Sequence, residues 1–234
     1  MVMSPRAHQR LLRHASWSGF VYIAFLMVGI LPLARFFPSQ PPDFNAAQIT
    51  GIYLGHPLTI RLGMVLVLIG SMFYVPWTAI LAKLISGVEG RVGVLTFCQV
   101  IAGTTNVLLT AYPAGWWLTA AFRRERPPEL VLLLNDIAWL QFLGVIAPFY
   151  FVVLALIYAS FADSDPDPLI PRWVGWFNVF FMFDLIPLSF IFFFKSGPFA
   201  WNGIFGFYLP FVTFWVWFFV MTYTVRRALP RLAD

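Results

Sequence analysis

Six long, predominantly apolar runs follow one another along this chain of 234 residues. A helix that spans a bilayer needs about 20 such residues, and each run has about that length or more. Only 11% of the residues are charged, whereas about a quarter are charged in soluble domains. We therefore predict an all-α, six-helix membrane bundle that forms a single domain, 1–234. The predicted spans are about 16–36, 58–85, 92–112, 129–161, 172–195 and 203–225.

The distribution of basic residues indicates the orientation of the bundle. If the N-terminus is cytoplasmic, nine of the 15 Lys and Arg residues lie inside, and this excess favours two cytoplasmic termini. The basic residues occupy chain ends and connections, which predicts contacts with membrane lipids and no nucleic-acid surface. Thirteen Arg against two Lys are typical of a GC-rich bacterial genome, so we expect a bacterial inner (plasma) membrane. The six basic residues left outside are Arg35, Arg61, Arg123, Arg124, Arg126 and Lys195.

One carboxylate, Asp184, lies near the middle of the fifth run. A charge at that depth costs about 3 kcal/mol in insertion experiments, so the group needs a partner or must be neutral. The residues on its own helix face, including Phe177 and Phe181, are apolar, which leaves the carbonyl that Pro187 frees as its only local partner. We expect Asp184 to be neutral at pH 7 and to face the bundle interior.

The third run carries a polar stripe at helical spacing, formed by Gln99, Gly103, Asn106 and Thr110. Counting about 1.5 Å per residue places Gln99 and Asn106 near the level of Asp184. Gly103 would let a neighbouring helix approach closely. We predict that Asn106 and Gln99 orient a ligand, although buried amides of this kind also serve simply to hold helices together.

Polar groups in other spans complete the predicted site. Arg61 and Asp136 both fall in the outer half of the membrane under this topology, so we predict an ion pair between them at the mouth of a cavity. Asn135 beside Asp136, and Asn178 in the fifth span, are further candidates for ligand binding.

Three connections carry features of their own. The sequence Pro-Ala-Gly at 113–115 predicts a break in the third helix, followed by a short surface helix whose arginines at 123–126 bind lipid phosphates or, alternatively, admit an anionic substrate. The proline-rich connection 36–57 is expected to cover the outer mouth. The aspartates at 163–168 resemble the start of a calcium loop, but the glycine and glutamate that such a loop needs are missing, so an acidic turn is predicted.

The sequence predicts no cofactor and no metal site. A single cysteine, Cys98, excludes an intrachain disulfide, and its apolar surroundings indicate a buried small hydrophobe. His8 and His14 precede the first span and His56 lies at an interface, so no histidine pair is placed to bind haem. Glycine-rich phosphate loops and Ser/His pairs are also missing, which makes redox and ATP-driven roles improbable.

Three functions remain open from the sequence. The first is an outward-facing, aromatic-walled cavity that binds or translocates a small hydrophobic molecule. The second is a cofactor-free enzyme in which Asp184 or Asp136 transfers a proton on a lipophilic substrate. The third is an accessory subunit of a larger membrane complex or a homo-oligomer, in which Asp184 pairs with a basic residue of a protein partner.

Overall fold

The computed structural model describes residues 4–232. These residues form seven helices and no strand, and six of the helices are long and apolar enough to cross a membrane. The chain is therefore a multi-pass α-helical membrane protein. The helices are α1 (Pro5–Leu33), α2 (Ala46–Gly55), α3 (Pro57–Glu89), α4 (Val94–Phe122), α5 (Pro128–Ala162), α6 (Arg172–Phe193) and α7 (Ile204–Leu232).

Six crossings return the chain to the side on which it begins. The first turn of α1 and the last turn of α7 therefore lie on one side of the bundle, called here the termini side, and the opposite side is the far side. The short helix α2 follows α1 and precedes α3 in the chain, and it packs mainly on the first turns of α5. An even number of crossings agrees with the predicted common side for both termini.

Helix α1 begins well before the predicted span because its sequence carries a start signal. The Ser4 hydroxyl accepts a hydrogen bond from the Ala7 backbone N–H at 3.3 Å, and Pro5 occupies the first helical position, where no N–H is needed. Helix α2 begins with a reciprocal capping box, in which Asn45 and Gln48 each accept a backbone N–H from the other. Helix α3 ends at Gly90, which has a left-handed φ of 66°.

The predicted break at Pro113 is wrong. Helix α4 runs without interruption from Val94 to Phe122, with Pro113 buried inside it. A proline is tolerated in a membrane helix when neighbouring helices accommodate the displaced carbonyl. The predicted surface helix is also wrong, because residues 123–127 form a non-helical connection in which Arg123 approaches Glu125 to 3.8 Å in solvent.

Glycines allow close helix contacts in the part of the bundle nearer to the termini side. A Cβ atom at Gly19 of α1 would lie 2.9 Å from the rings of Trp77 and Phe218. Gly103 of α4 packs directly against Thr78 of α3, as the polar stripe predicted. Both aromatic side chains are fully buried, and real Cβ atoms do not approach a ring this closely, so glycine is required at position 19.

The connection after α1 folds into the far side of the bundle. Arg35 has a left-handed φ of 58°, which turns the chain so that Phe36 is completely buried. Gln40 is then held by two tryptophans: the Trp139 indole N–H donates to its side-chain oxygen and the Trp201 indole N–H donates to its carbonyl, both at 2.7 Å. Residues 36–40, called here the roof segment, therefore cover the far end of the bundle.

Candidate functional site

A cavity of about 100 Å³ lies within the bundle, and all six spanning helices contribute to its lining. The walls are almost entirely apolar and rich in phenylalanine. One lining residue from each span, in chain order, is Ile30, Tyr74, Asn106, Phe142, Leu188 and Phe207. A space to which every spanning helix contributes is the default candidate for a binding site in a helical bundle.

The polar groups of the cavity are gathered at the end nearer to the termini side, called here the floor. The hydroxyl groups of Tyr22 and Thr110 share a hydrogen bond of 2.8 Å, and the Tyr22 and Tyr74 ring centroids are 5.1 Å apart. The Tyr74 hydroxyl and the Asn106 side-chain nitrogen are buried without a hydrogen-bond partner among the residues that the structure describes. The floor therefore holds unused hydrogen-bonding capacity beneath an apolar space.

Four of the six spans contain a π-helical or 3₁₀ segment beside this cavity, and a fifth, α3, is interrupted by a turn at residues 72–73, next to the lining residue Tyr74. Three segments are π-helical, Gly29–Leu33, Leu140–Gly144 and Ile204–Tyr208, and Ile186–Phe193 is a 3₁₀ helix. Each segment supplies at least one lining residue. Single-turn π segments are rare and occur frequently at functional sites, so three of them around one cavity mark it as more than a packing defect.

Prolines accompany all four irregular segments. Pro32 and Pro187 lie within their segments, whereas Pro148 and Pro210 lie a few residues beyond theirs. A proline cannot donate the hydrogen bond to the fourth residue before it, and its ring displaces that carbonyl. The helix then widens or tightens locally, which separates the spans and leaves space between them.

The roof segment covers the far end of the cavity. The Phe37 ring stacks on Phe211 with a centroid distance of 5.6 Å and contacts Phe207 at 6.1 Å. Phe207 and Phe211 line the cavity themselves. The first connection thus reaches the aromatic wall directly, in line with the covering role expected for it.

Asp184 lies behind the cavity wall, and it has a partner that the sequence did not indicate. Its side chain is 7% exposed, and it shares a hydrogen bond with the Thr213 hydroxyl of α7. The neighbouring Leu185 lines the cavity, whereas Asp184 does not. The predicted partner, the Phe183 carbonyl, is occupied by the backbone N–H of Ile186, because the helix tightens there into 3₁₀ geometry.

The surroundings of Thr213 favour a neutral Asp184. The hydroxyl oxygen of Thr213 lies 3.1 Å from the carbonyl oxygens of both Leu209 and Pro210. A hydroxyl has only one hydrogen, which cannot serve two carbonyls and a carboxylate together. If Asp184 is protonated, it donates to Thr213 and Thr213 donates to a carbonyl; its other oxygen, Oδ1, is buried without a partner among the described residues, and the neutral state stays a prediction.

The predicted ion pair between Arg61 and Asp136 is not formed. The Arg61 side chain instead donates from Nε to the Pro57 carbonyl of its own helix, at 3.1 Å, and no ion pair of either residue occurs within 4–232. Arg61 and Asp136 both lie toward the far side, but the depth of a residue along its helix does not determine which way its side chain points.

The remaining candidate residues separate into bonded and unbonded amides. Asn178 is fully bonded: its nitrogen donates to the Val174 carbonyl at 2.8 Å, and its oxygen accepts from the Trp217 indole at 2.9 Å. The Asn135 oxygen accepts from the Tyr53 hydroxyl at 3.0 Å, which ties α2 to α5. Gln99 is fully buried, and neither of its polar atoms has a partner among the described residues.

Of the predicted ligand-binding residues, Asn106 alone lies in the cavity lining. Sequence reasoning missed Tyr22 and the apolar walls, and it used only one of the four prolines. A partial signal was present, since every spanning helix carries an internal proline, four of these prolines lie in or near irregular segments, and Pro210 lines the cavity. Reading those prolines together would have indicated an irregular layer across the bundle.

Comparisons with protein-family models, with curated proteins and with solved structures found no match to this chain. Within residues 4–232, no three His, Cys, Asp or Glu side chains are grouped closely enough to hold a metal ion. The function is therefore inferred from the cavity and its surroundings.

Proposed function

We propose that this integral membrane protein binds a small, largely apolar molecule in the central cavity, as a carrier or receptor for that molecule. The observation that carries the proposal is the layer of three π segments and one 3₁₀ segment around a space lined by all six spans. Such departures from α geometry weaken the backbone hydrogen bonding of a helix, and a binding role is a reason to retain them.

The size of the cavity limits the ligand class. An apolar cavity of about 150 Å³ in a soluble protein binds benzene or xenon, and pockets for drug-sized ligands are about 300–1,000 Å³. A cavity of about 100 Å³ therefore suits a molecule with a few non-hydrogen atoms. A sterol or an isoprenoid does not fit this space without a large rearrangement of the walls.

Asn106 gives the ligand a preferred polarity. Asn106 lines the floor, and its side-chain nitrogen is buried without a partner among the described residues, which costs about 1–3 kcal/mol in an apolar interior. A ligand with one hydrogen-bond acceptor, such as a carbonyl or ether oxygen, would recover that cost. The apolar remainder of the ligand would occupy the space between the phenylalanine walls.

The positions of the carboxylates favour binding over catalysis. Neither Asp184 nor Asp136 lines the cavity, so neither is placed to exchange a proton with a molecule inside it. Asp184 shares a hydrogen bond with Thr213 through Oδ2, whereas its Oδ1 is buried without a partner among the described residues, so the accessory-subunit alternative stays a prediction. Passage of the ligand through the membrane requires the irregular segments to move, and it is a further step beyond binding.

Xenon under pressure tests whether the cavity accepts an apolar guest. We expect anomalous scattering from xenon between Leu109, Phe142 and Phe211 in crystals of the unaltered protein. The variant Leu109→Phe should lose this site because the larger ring fills the space. The matched control is Leu108→Phe in the same helix, since Leu108 is 41% exposed and lies outside the lining. No xenon at this position in the parent, or a xenon site in Leu109→Phe as strong as in the parent and in the control, would refute the proposal.

A further inference from the structure

A second concave site lies on the termini side, between the first turns of α1 and the last turns of α7. This groove, called here the terminal groove, has a volume of about 440 Å³. Gln9, Arg13 and Trp17 line it from α1, and their spacing of four residues places them on one helix face. Arg226 and Leu229 line it from α7.

No carboxylate within residues 4–232 neutralises the two arginines of the groove. The Arg226 guanidinium lies 4.5 Å from the centre of the Trp17 ring, in cation–π geometry. Neither Arg13 nor Arg226 forms an ion pair with any residue in the described range 4–232, and no carboxylate lines the groove. The groove therefore presents two positive charges on adjacent helices.

The neighbouring arginines of α7 are used differently. Arg227 pairs with Asp167, and Arg231 pairs with Asp165 at 2.7 Å. The Arg227 and Arg231 side chains also donate to the carbonyls of Pro168 and Asp167. The aspartates of the acidic turn thus neutralise Arg227 and Arg231 on one face of α7. Arg226 lies on another face and has no ion-pair partner within residues 4–232.

The groove lies at the depth of lipid headgroups. Trp17 stands where the polar start of α1 gives way to its apolar length, and tryptophan is enriched at that boundary. Leu12 and Leu229 give the groove an apolar base, on which the first carbons of an acyl chain could rest. Two guanidinium groups suit a phosphate because each presents parallel N–H donors to its oxygens.

We infer that the terminal groove binds the headgroup of an anionic phospholipid. Arg13 and Arg226 hold the phosphate, the Trp17 ring orients Arg226, and Gln9 donates to the glycerol or phosphate oxygens. The volume lies within the range of known ligand pockets. Basic pockets between membrane helices bind cardiolipin and similar headgroups by the same chemistry. This site is separate from the central cavity, and it does not depend on the function proposed for that cavity.

Native mass spectrometry in mild detergent tests the inference. We expect the protein to retain phosphatidylglycerol or cardiolipin at least about fivefold more strongly than phosphatidylcholine, which corresponds to about 1 kcal/mol. The double variant Arg13→Gln/Arg226→Gln should lose this preference. The matched control, Arg6→Gln/Arg10→Gln, removes the same charge from exposed positions of α1 outside the groove and should keep it.

Three results would overturn the inference. These are equal retention of anionic and neutral lipid by the parent, an unchanged preference in the groove variant, and an equal loss in the control, which would indicate a general charge effect. Competition with sn-glycerol 3-phosphate distinguishes a phospholipid headgroup from a soluble phosphate ester. Displacement of the lipid at equal concentration would identify the soluble ester as the ligand. If the double variant does not fold, Arg226→Gln alone decides the test, with Arg10→Gln as its control.

Discussion

The two parts of the bundle differ in backbone geometry, although glycines allow close contacts in both. Toward the termini side, large rings such as Trp77 and Trp217 are completely buried between α-helical segments. Toward the far side, four prolines accompany irregular helix segments, and a cavity lies beside them. The position of the cavity is therefore explained by backbone geometry and not by side chains that are too small to fill the space. The cavity lies where the backbone itself departs from regular geometry.

Two buried asparagines illustrate the difference between the two parts of the bundle. Asn178 and Asn106 are both buried in spanning helices, and the sequence makes both candidates for ligand binding. Asn178 has every hydrogen-bonding group engaged by α6 and α7, whereas Asn106 lines the cavity and its side-chain nitrogen has no partner among the described residues. Asn178 is thus a contact between helices, and Asn106 is the residue to which the proposal assigns the ligand.

The largest expected effect comes from exchanging these asparagines for leucine. Asn178→Leu leaves the buried Trp217 indole N–H without an acceptor, so we expect the free energy of unfolding to fall by about 2–3 kcal/mol. Asn106→Leu replaces an already unsatisfied amide, and we expect it to change stability by less than about 1 kcal/mol or to increase it. Reversible unfolding in detergent compares the two. Equal losses would remove the distinction between the two parts of the bundle.

A smaller effect is expected from adding a methyl group to glycines. Gly19→Ala places a Cβ within 2.9 Å of two buried rings and should cost about 1–2 kcal/mol. Gly115→Ala in α4 meets nothing within 4 Å, so it should stabilise the protein by up to about 1 kcal/mol through helix propensity. Thermal unfolding of both variants measures the two changes in stability. A stabilising Gly19→Ala would show that the termini part is packed less tightly than described.

The smallest effect concerns the acidic turn at the termini side. The backbone N–H of Asp167, followed by the Arg231 guanidinium, holds the pKa of the Asp165 carboxyl below its ordinary value. A lowered folded-state pKa means that the contribution to stability is complete above the ordinary aspartate pKa and is lost as the pH falls through the lowered value.

Amide hydrogen exchange at Asp167, corrected for the intrinsic rate, should therefore lose protection only at pH values below the ordinary pKa of aspartate. Asp165→Asn should remove the pH dependence because its side chain does not ionise, while its amide oxygen can still accept from the Asp167 N–H. Protection that is constant down to low pH in the parent would contradict the role assigned to this carboxylate. The part around the cavity should be insensitive to Asp165 in either case.

The sequence determines the spans and the polar stripe well because both depend on the helical repeat alone. Gln99, Gly103, Asn106 and Thr110 are all buried on one face of α4, as periodicity predicts. The partners of Asp184 and Arg61 were not predictable in this way, because residue counting gives depth in the membrane but not helix rotation or neighbour identity. The break expected at Pro113 failed because packing around α4 tolerates a proline that would end a solvated helix.

The most direct test of the proposed cavity function is the relative affinity of butanone and its hydrocarbon isostere, 2-methyl-1-butene, measured by ligand-observed NMR on protein in nanodiscs. The two molecules have similar shape, but only butanone accepts a hydrogen bond. Asn106→Leu removes the donor, so the ratio of butanone to hydrocarbon affinity should fall about tenfold, as expected for a net hydrogen bond of about 1.4 kcal/mol. An unchanged ratio in Asn106→Leu would contradict the assignment of the polar floor as the ligand-orienting group.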